Sequence, residues 1–346
     1  MKARGLAVMS AKAPLVTYEF DRRELGAHDV ALDISYAGIC HSDIHQAREE
    51  WGTAIFPMVP GHEISGTVSA IGAGVSKFKV GDLIGVGVFI DSCRTCEQCT
   101  SGLQQYCVQG MTGTYNTLER DGTTVAMGGY SNVFVVNEDY AVHIPENLPL
   151  DGVAPLLCAG ITLYSPLKHW GAGPGSKVAV MGLGGLGHMG VKFAHALGAE
   201  VTVLSHSANK ESDARAMGAD HFVDTHDVDA LKKLGSTFDL ILNTVSADLD
   251  INTYLNMLKV NGTLVVIGLP GTPYSVQQGA LLGGRRSLAG SMIGGIPEMQ
   301  EMLNFCGENN IVSDVEIISA DYANTAYERT VASDVKYRFV IDAATF

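Results

Sequence analysis

Positive charge is scarce in this 346-residue chain: 23 Lys and Arg stand against 37 Asp and Glu, for a formal net charge of −14, and no stretch gathers basic residues into a cluster. That balance argues against general affinity for nucleic acid or anionic membrane surfaces. Long apolar runs are missing too, none reaching the roughly 18 residues that suggest a bilayer span. No leading segment joins basic residues to an apolar stretch and a small-residue cleavage site, so the expected location is the cytoplasm. Internal repeats, low-complexity tracts and blocks of like charge are absent. Cysteine is sparse at seven residues, and a chain of this length buries enough core to need no stapling by disulfides.

Four of the seven cysteines nevertheless fall within fifteen residues, Cys93, Cys96, Cys99 and Cys107. Thiolates at C-x2-C-x2-C-x7-C spacing can close a tetrahedral zinc shell, and in a cytoplasmic protein such a run is a metal site before it is a disulfide set. Cys40 and Cys158 lie far outside it. Hydrophobic residues at 46% and 40 glycines describe a globular protein of two domains, rich in turns.

Up to about residue 150 short β-branched stretches recur, Val30 to Tyr36, Ile64 to Ile71 and Tyr130 to Val136, broken by Gly and Pro. They predict a mainly antiparallel β domain with the cysteine run as a loop excursion. From Lys177 the texture becomes strand–helix alternation: Val178 to Met181, a helix to Leu197 ended by Gly198, then Val201 to Leu204, Phe222 to Val223, Leu240 to Val245 and Thr263 to Ile267. This predicts a doubly wound parallel sheet.

The alternation opens on Gly182, Leu183, Gly184, Gly185, Leu186 and Gly187, a G-x-G-x-x-G set between a predicted strand and a predicted helix. Gly182 permits the tight turn, Gly184 admits a pyrophosphate close to the backbone, and Gly187 allows close helix packing. The choice of dinucleotide depends on the end of the next strand, where an acidic residue would hold a ribose 2′-OH. Ser205 stands there instead, with His206, Ser207 and Lys210 offering hydroxyls and a cation, although Glu211 and Asp213 follow. NADP(H) is favoured over NAD. In the β domain, Cys40 to His45 and Gly61-His62-Glu63 are polar clusters that, with Cys158, could gather two thiols, an imidazole and a carboxylate around one zinc with an exchangeable position.

Taken in order, Cys40-His41-Ser42-Asp43-Ile44-His45-Gln46, Pro60-Gly61-His62-Glu63, the four-cysteine lobe, Leu156 to Thr162, Gly182 to Gly187 and Gly290 to Gly294 resemble the zinc-dependent medium-chain alcohol dehydrogenases, and within them the cinnamyl-alcohol-dehydrogenase branch with its broad-range aldehyde reductases. The resemblance covers the whole chain. It implies an α/β architecture in two parts: a GroES-like, mainly β catalytic domain over residues 1–156 and 295–346, and a Rossmann NADP-binding domain over 157–294. It also implies two zinc ions per chain. Cys40, His62 and Cys158 would hold the catalytic one, with Glu63 as fourth ligand or just behind it, and Cys93, Cys96, Cys99 and Cys107 the structural one. Asp43 would orient the ligand histidine. Ser42, the nicotinamide ribose and His45 would relay the proton, and an unperturbed imidazole, titrating near roughly 6.5, suits the outer end. His41, Thr162 and Ser291 would touch the cofactor beside the glycine turn and the Ser205 cluster. Trp51, Met58, Tyr115, Leu269, Met292 and Ile293 would line an apolar substrate pocket. Cys306 matches no ligand and is expected to be a buried apolar thiol.

The implied reaction is hydride exchange between alcohols or aldehydes and NADP(H), with reduction of aromatic and medium aliphatic aldehydes as the favoured direction. The implied assembly is a homodimer joined along edge strands around Ser287 to Met292. An NAD-dependent polyol or sugar dehydrogenase shares the fold, but the Ser205 position speaks against it. A non-catalytic NADP(H)-sensing zinc protein would not need Cys40, Ser42, His45, His62 and Cys158 together.

Overall fold

The computed structural model describes residues Met1–Phe346, which divide into two compact units, Met1–Ile161 with Gly294–Phe346, and Thr162–Ile293. Cys158 therefore belongs to the first unit. No single helix is long and apolar enough to cross a membrane.

The first unit is built on a seven-stranded sheet whose spine is Asp29–Gly38. The opening Asp29 to Leu32 of that strand is buried on both faces, which explains its lack of strict polar alternation. It pairs antiparallel with Ile64–Ile71, Val133–Asn137 and Arg338–Asp342, so the C-terminal segment returns to the centre of the sheet. One pairing departs from the antiparallel expectation: Val315–Ile318 runs parallel to Arg338–Asp342. The hairpin Lys2–Val8 and Leu15–Asp21 forms a separate two-stranded sheet. An apolar core that includes Leu6, Ile39, Ile44, Met58, Tyr130, Tyr327 and Phe339 lies beside the start of the helix His41–Ala47.

The stretch expected to be a strand from Tyr130 starts instead at Val133. Gly128, Gly129 and Tyr130 have donated their N–H groups elsewhere, to the carbonyls of Val59, Gly61 and Pro60 at 2.7, 2.8 and 2.9 Å. The loop is thus fastened to the segment that carries His62.

The second unit is a six-stranded parallel sheet. Its spatial order is His221–Asp224, Glu200–Ser205, Lys177–Met181, Phe238–Asn243, Leu258–Val266 and Ser287–Gly290, the 3-2-1-4-5-6 arrangement of dinucleotide-binding folds. Val178, Ala179 and Val180 are all wholly buried, as strands covered on both faces require. The fourth strand ends at Asn243, two residues before the expected Val245. There the Thr244 hydroxyl donates to the Met181 carbonyl at 2.6 Å and the Val245 N–H to the Asn243 side chain at 3.1 Å, which takes both residues out of the ladder. The first helix, Gly187–Ala196, is followed by Gly198 in the left-handed region at φ +88°.

Candidate active site and metal centres

Cys40 follows the spine strand and caps the helix His41–Ala47. Asp43, at the third position of that helix, accepts from the Cys40 N–H at 2.9 Å. The same buried carboxylate accepts from the Gly61 N–H and from His62 Nδ1, each at 3.1 Å. One carboxylate thus both caps the helix and orients His62. Because the carboxylate can only accept, Nδ1 carries the proton, which in the neutral ring leaves the lone pair on Nε2. Gly61, at φ +103°, supplies the turn that brings His62 and Glu63 inward.

The donor atoms of Cys40, His62, Glu63 and Cys158 all lie within 4.8 Å of one another, and all four residues are buried. The two sulfurs are 4.0 Å apart. His62 Nε2 and Glu63 Oε2 are buried without a hydrogen-bond partner, a costly arrangement unless a cation faces them. The Cys40 thiol is held well below its ordinary range by the hydrogen bond with Cys158, with Arg338 and His62 adding to it. Cys158 is pushed well above by the same pairing and by burial. Desolvation raises Glu63 to about 8. Two thiols sharing one proton, an unpartnered imidazole nitrogen and a neutralised carboxyl form a donor set that fits tetrahedral zinc.

The second cluster joins Cys93, Cys96, Cys99 and Cys107, again within 4.8 Å and with no disulfide. Here the local backbone does the gathering: the Cys96 N–H donates to Cys93 Sγ and the Cys93 N–H to Cys107 Sγ, both at 3.4 Å. N–H donation from Thr95 and Cys96 lowers the Cys93 thiol to about 6, and burial raises Cys99 to about 11. Cys306, deep in the core, is pushed by burial to about 12.

Around the first cluster, Cys40 Sγ and the Ser42 hydroxyl are hydrogen-bonded at 3.5 Å. His45 Nδ1 pairs with Glu50, and its ring stacks on Trp51 at 4.7 Å and lies 5.5 Å from His41. Tyr115 stacks on His62 at 5.8 Å. Met58 sits in the apolar core, its backbone paired with Val8. Trp51, Leu269 and Met292 are exposed, whereas Ile293 is buried at φ +41°, a strained conformation for a β-branched residue.

In the second unit Gly182 takes φ +85°, and a Cβ at Gly187 would lie 2.0 Å from the Gly182 carbonyl, so both positions require glycine. A Cβ at Gly184 would meet nothing within 4 Å, which leaves its face open. Gly185 and Leu186 complete the turn before the helix. Ser205 ends its strand, the Ser207 N–H donates to its hydroxyl at 3.2 Å, and Lys210 Nζ donates to the Leu183 carbonyl at 2.9 Å. Lys210 is thereby drawn to the glycine turn, while Ser205 and Ser207 are tied to each other. His206 is exposed, 6.3 Å from the His226 ring. Asp224, in register with Ser205 on the neighbouring strand, is engaged by His226 at 3.0 Å. Thr162 is buried, and the Ser291 N–H donates to the Val266 carbonyl at 3.3 Å.

Three residues escaped the sequence reading. Arg338 is buried and its guanidinium bonds Glu63; the signal was a lone cation in the apolar run Tyr337 to Ile341. Glu50, five residues past His45, was visible only as one of two adjacent acids. Tyr130 was absorbed into a strand.

A parallel sheet with a glycine turn, and a buried set of two thiols, an imidazole and a carboxylate, define the class of metal- and dinucleotide-using dehydrogenases. Comparison with known proteins agrees. Residues 185–308 match the zinc-binding dehydrogenase family and residues 26–146 the alcohol dehydrogenase GroES-like domain. The chain is 58% identical over 340 residues to NADP-dependent alcohol dehydrogenase C 1 of Mycolicibacterium smegmatis, covering 98% of this chain and 97% of that protein. It is 51% identical over 348 residues to aldehyde reductase YahK of Escherichia coli, covering 100% and 99%. The structure of CAD from Helicobacter pylori complexed with NADP(H) superposes with a TM-score of 0.93 at 42% identity, covering 99% of each chain. The chain therefore belongs to the zinc-binding alcohol dehydrogenase family, with its GroES-like and Rossmann parts.

Proposed function

We propose that this protein is a zinc- and NADP(H)-dependent oxidoreductase that interconverts primary alcohols and aldehydes, working as a reductase of aromatic and medium aliphatic aldehydes. The observation that carries the reading is the buried Cys40, His62, Glu63 and Cys158 set with its unpartnered imidazole nitrogen. In this reading Cys40, His62 and Cys158 hold the catalytic zinc, with Glu63 beside them, and Cys93, Cys96, Cys99 and Cys107 hold a structural zinc. Met1–Ile161 with Gly294–Phe346 serve catalysis and Thr162–Ile293 bind the nucleotide.

When bound, zinc supplies a Lewis acid for the substrate oxygen and the nicotinamide supplies the hydride. The chain's own residues do the rest. Asp43 keeps the His62 proton on Nδ1 and so keeps Nε2 free to ligate. Arg338 neutralises one oxygen of Glu63, leaving the other to approach or leave the metal position. Ser42, beside Cys40, is placed to pass a proton from the substrate oxygen toward His45, whose ring Glu50 holds through Nδ1. Gly182, Gly184 and Gly187 cradle the pyrophosphate at a helix start, and Ser205, Ser207 and Lys210 receive the 2′-phosphate. Trp51, Met58 and Tyr115 bound the apolar substrate space on the side of the zinc set. We further propose a cytoplasmic homodimer joined through Ser287–Gly290, the edge strand of the parallel sheet.

The test is a steady-state panel of aromatic, aliphatic and sugar-derived carbonyls with NADPH and NADH, repeated with Cys40→Ser, together with metal analysis. Expected are two zinc ions per chain, preference for NADPH, and loss of turnover in the variant. Preference for NADH would sink the cofactor assignment, and unchanged turnover in Cys40→Ser the zinc assignment.

A further inference from the structure

Asp43 is wholly buried, and besides His62 and the two backbone donors it has a fourth partner, the Tyr130 hydroxyl at 3.0 Å. We infer that Tyr130 is a positioning residue for His62: its hydroxyl holds the carboxylate that fixes the tautomer and the aim of the imidazole. The inference rests on the reading of Cys40, His62 and Cys158 as the zinc set.

The geometry is built from two sides. The backbone of Gly128 to Tyr130 is zipped onto Val59, Pro60 and Gly61, immediately before His62. A Cβ at Gly61 would lie 2.5 Å from the Tyr130 ring, so the turn and the ring are in close contact. From the other side, buried Arg22 holds the loop: Nε donates to the Val133 carbonyl at 2.8 Å, Nη2 to the Gly128 carbonyl and Ser131 hydroxyl at 2.6 and 2.7 Å, and Nη1 to the Met127 carbonyl. The Phe20 and Phe134 rings lie 5.0 and 4.3 Å from the guanidinium. The loop is therefore rigid where its tyrosine meets Asp43. Three of the four donors to Asp43 belong to Cys40, Gly61 and His62, in the segments that carry three of the four metal-facing residues. Tyr130 is the donor that belongs to neither, and it removes the remaining freedom of the Oδ2 atom.

Tyr130→Phe keeps the ring and deletes the bond. The variant is expected to load two zinc ions but to release the catalytic one to a chelator on the order of tenfold faster, the lower end of what loss of an outer partner does to metal sites. kcat should fall by a similar factor with the KM for NADPH unchanged. After cobalt substitution, the thiolate-to-metal absorption of the variant should shift. In an Asp43→Asn background, Tyr130→Phe should add nothing, because it acts through that carboxylate. Release kinetics and a cobalt spectrum identical to the parent, or additive effects in the double variant, overturn the assignment. Should Asp43→Asn fail to fold, release from Tyr130→Phe decides alone. A parent protein that holds a single zinc ion would overturn the zinc-set reading and this inference with it.

Discussion

The lobe from Cys93 to Cys107 and the cluster of Cys40, His62, Glu63 and Cys158 each bring ligand atoms within 4.8 Å, by opposite means. In the lobe, the chain turns through fifteen residues and its own N–H groups point at the sulfurs. In the other, Cys40 and Cys158 are 118 residues apart, and three separate segments converge because the spine strand pairs with the strand from Ile64 and the helical turn Ala154–Leu157, which leads into Cys158, packs against both. The lobe leaves two of its cysteines part-exposed, whereas the converged cluster is buried throughout and keeps two polar atoms unpartnered. A closed shell of four thiolates stabilises a loop; a set of two thiols and an imidazole with an adjustable carboxylate retains a position for exchange. Burial with incomplete satisfaction is thus what distinguishes the proposed reactive centre from the proposed structural one.

The comparison can be broken most forcefully by Cys158→Ala. Loss of the catalytic zinc removes several kcal/mol of charge stabilisation, so turnover should fall about a thousandfold or more, while the second zinc stays bound by metal analysis. Unaltered kcat would erase the distinction between the clusters. Asp43→Asn comes next, expected to cost 10 to 100-fold (an order-of-magnitude range) in metal retention or kcat without altering the lobe. Cys99→Ala reverses the pattern: the lobe's zinc is lost, and limited trypsin digestion should now cut after Arg94, with a smaller fall in turnover per folded molecule. Resistance equal to the parent's would show that the lobe is ordered without its metal.

Thiol chemistry sharpens the contrast in metal-stripped protein. Cys93, lowered to about 6, is a thiolate at pH 7 and should be alkylated by iodoacetamide, with labelling fading as pH falls through about 6. Cys306, raised to about 12, should stay unlabelled until the chain unfolds. Equal labelling at pH 7 would contradict both shifts. The smallest effect lies outside either cluster. Hydrogen bonds from Thr124 and Thr123 lower Asp121 to about 2, against an ordinary 3.8. A depressed carboxylate contributes stability above its unfolded value and loses it as pH falls through its folded one. Asp121→Asn should flatten the fall in Tm between about pH 4 and pH 2 and leave metal content untouched; a steeper fall would reverse the sign.

Much of this was legible in the residues because it is local. The glycine turn could be read since each glycine answers a backbone requirement, and the φ of Gly182 and the closeness of Gly187 to the Gly182 carbonyl meet it. The lobe could be read from spacing alone. The proposed zinc donors Cys40, His62, Glu63 and Cys158 came from pattern resemblance, and the strand boundaries at Tyr130 and Val245 were misplaced by three and two residues because side-chain and loop hydrogen bonds outcompeted the ladder there.

What the sequence determined by itself was the set of parts: a dinucleotide turn, a four-thiol loop, and dispersed ligands of the right chemical type. Tertiary structure decided how the dispersed parts are held. Arg338 reaches Glu63 across 275 positions, and Tyr130 reaches Asp43 across 87. A buried charge or hydroxyl must find its partner wherever folding brings one within about 3 Å, and no periodicity along the chain records which partner that will be.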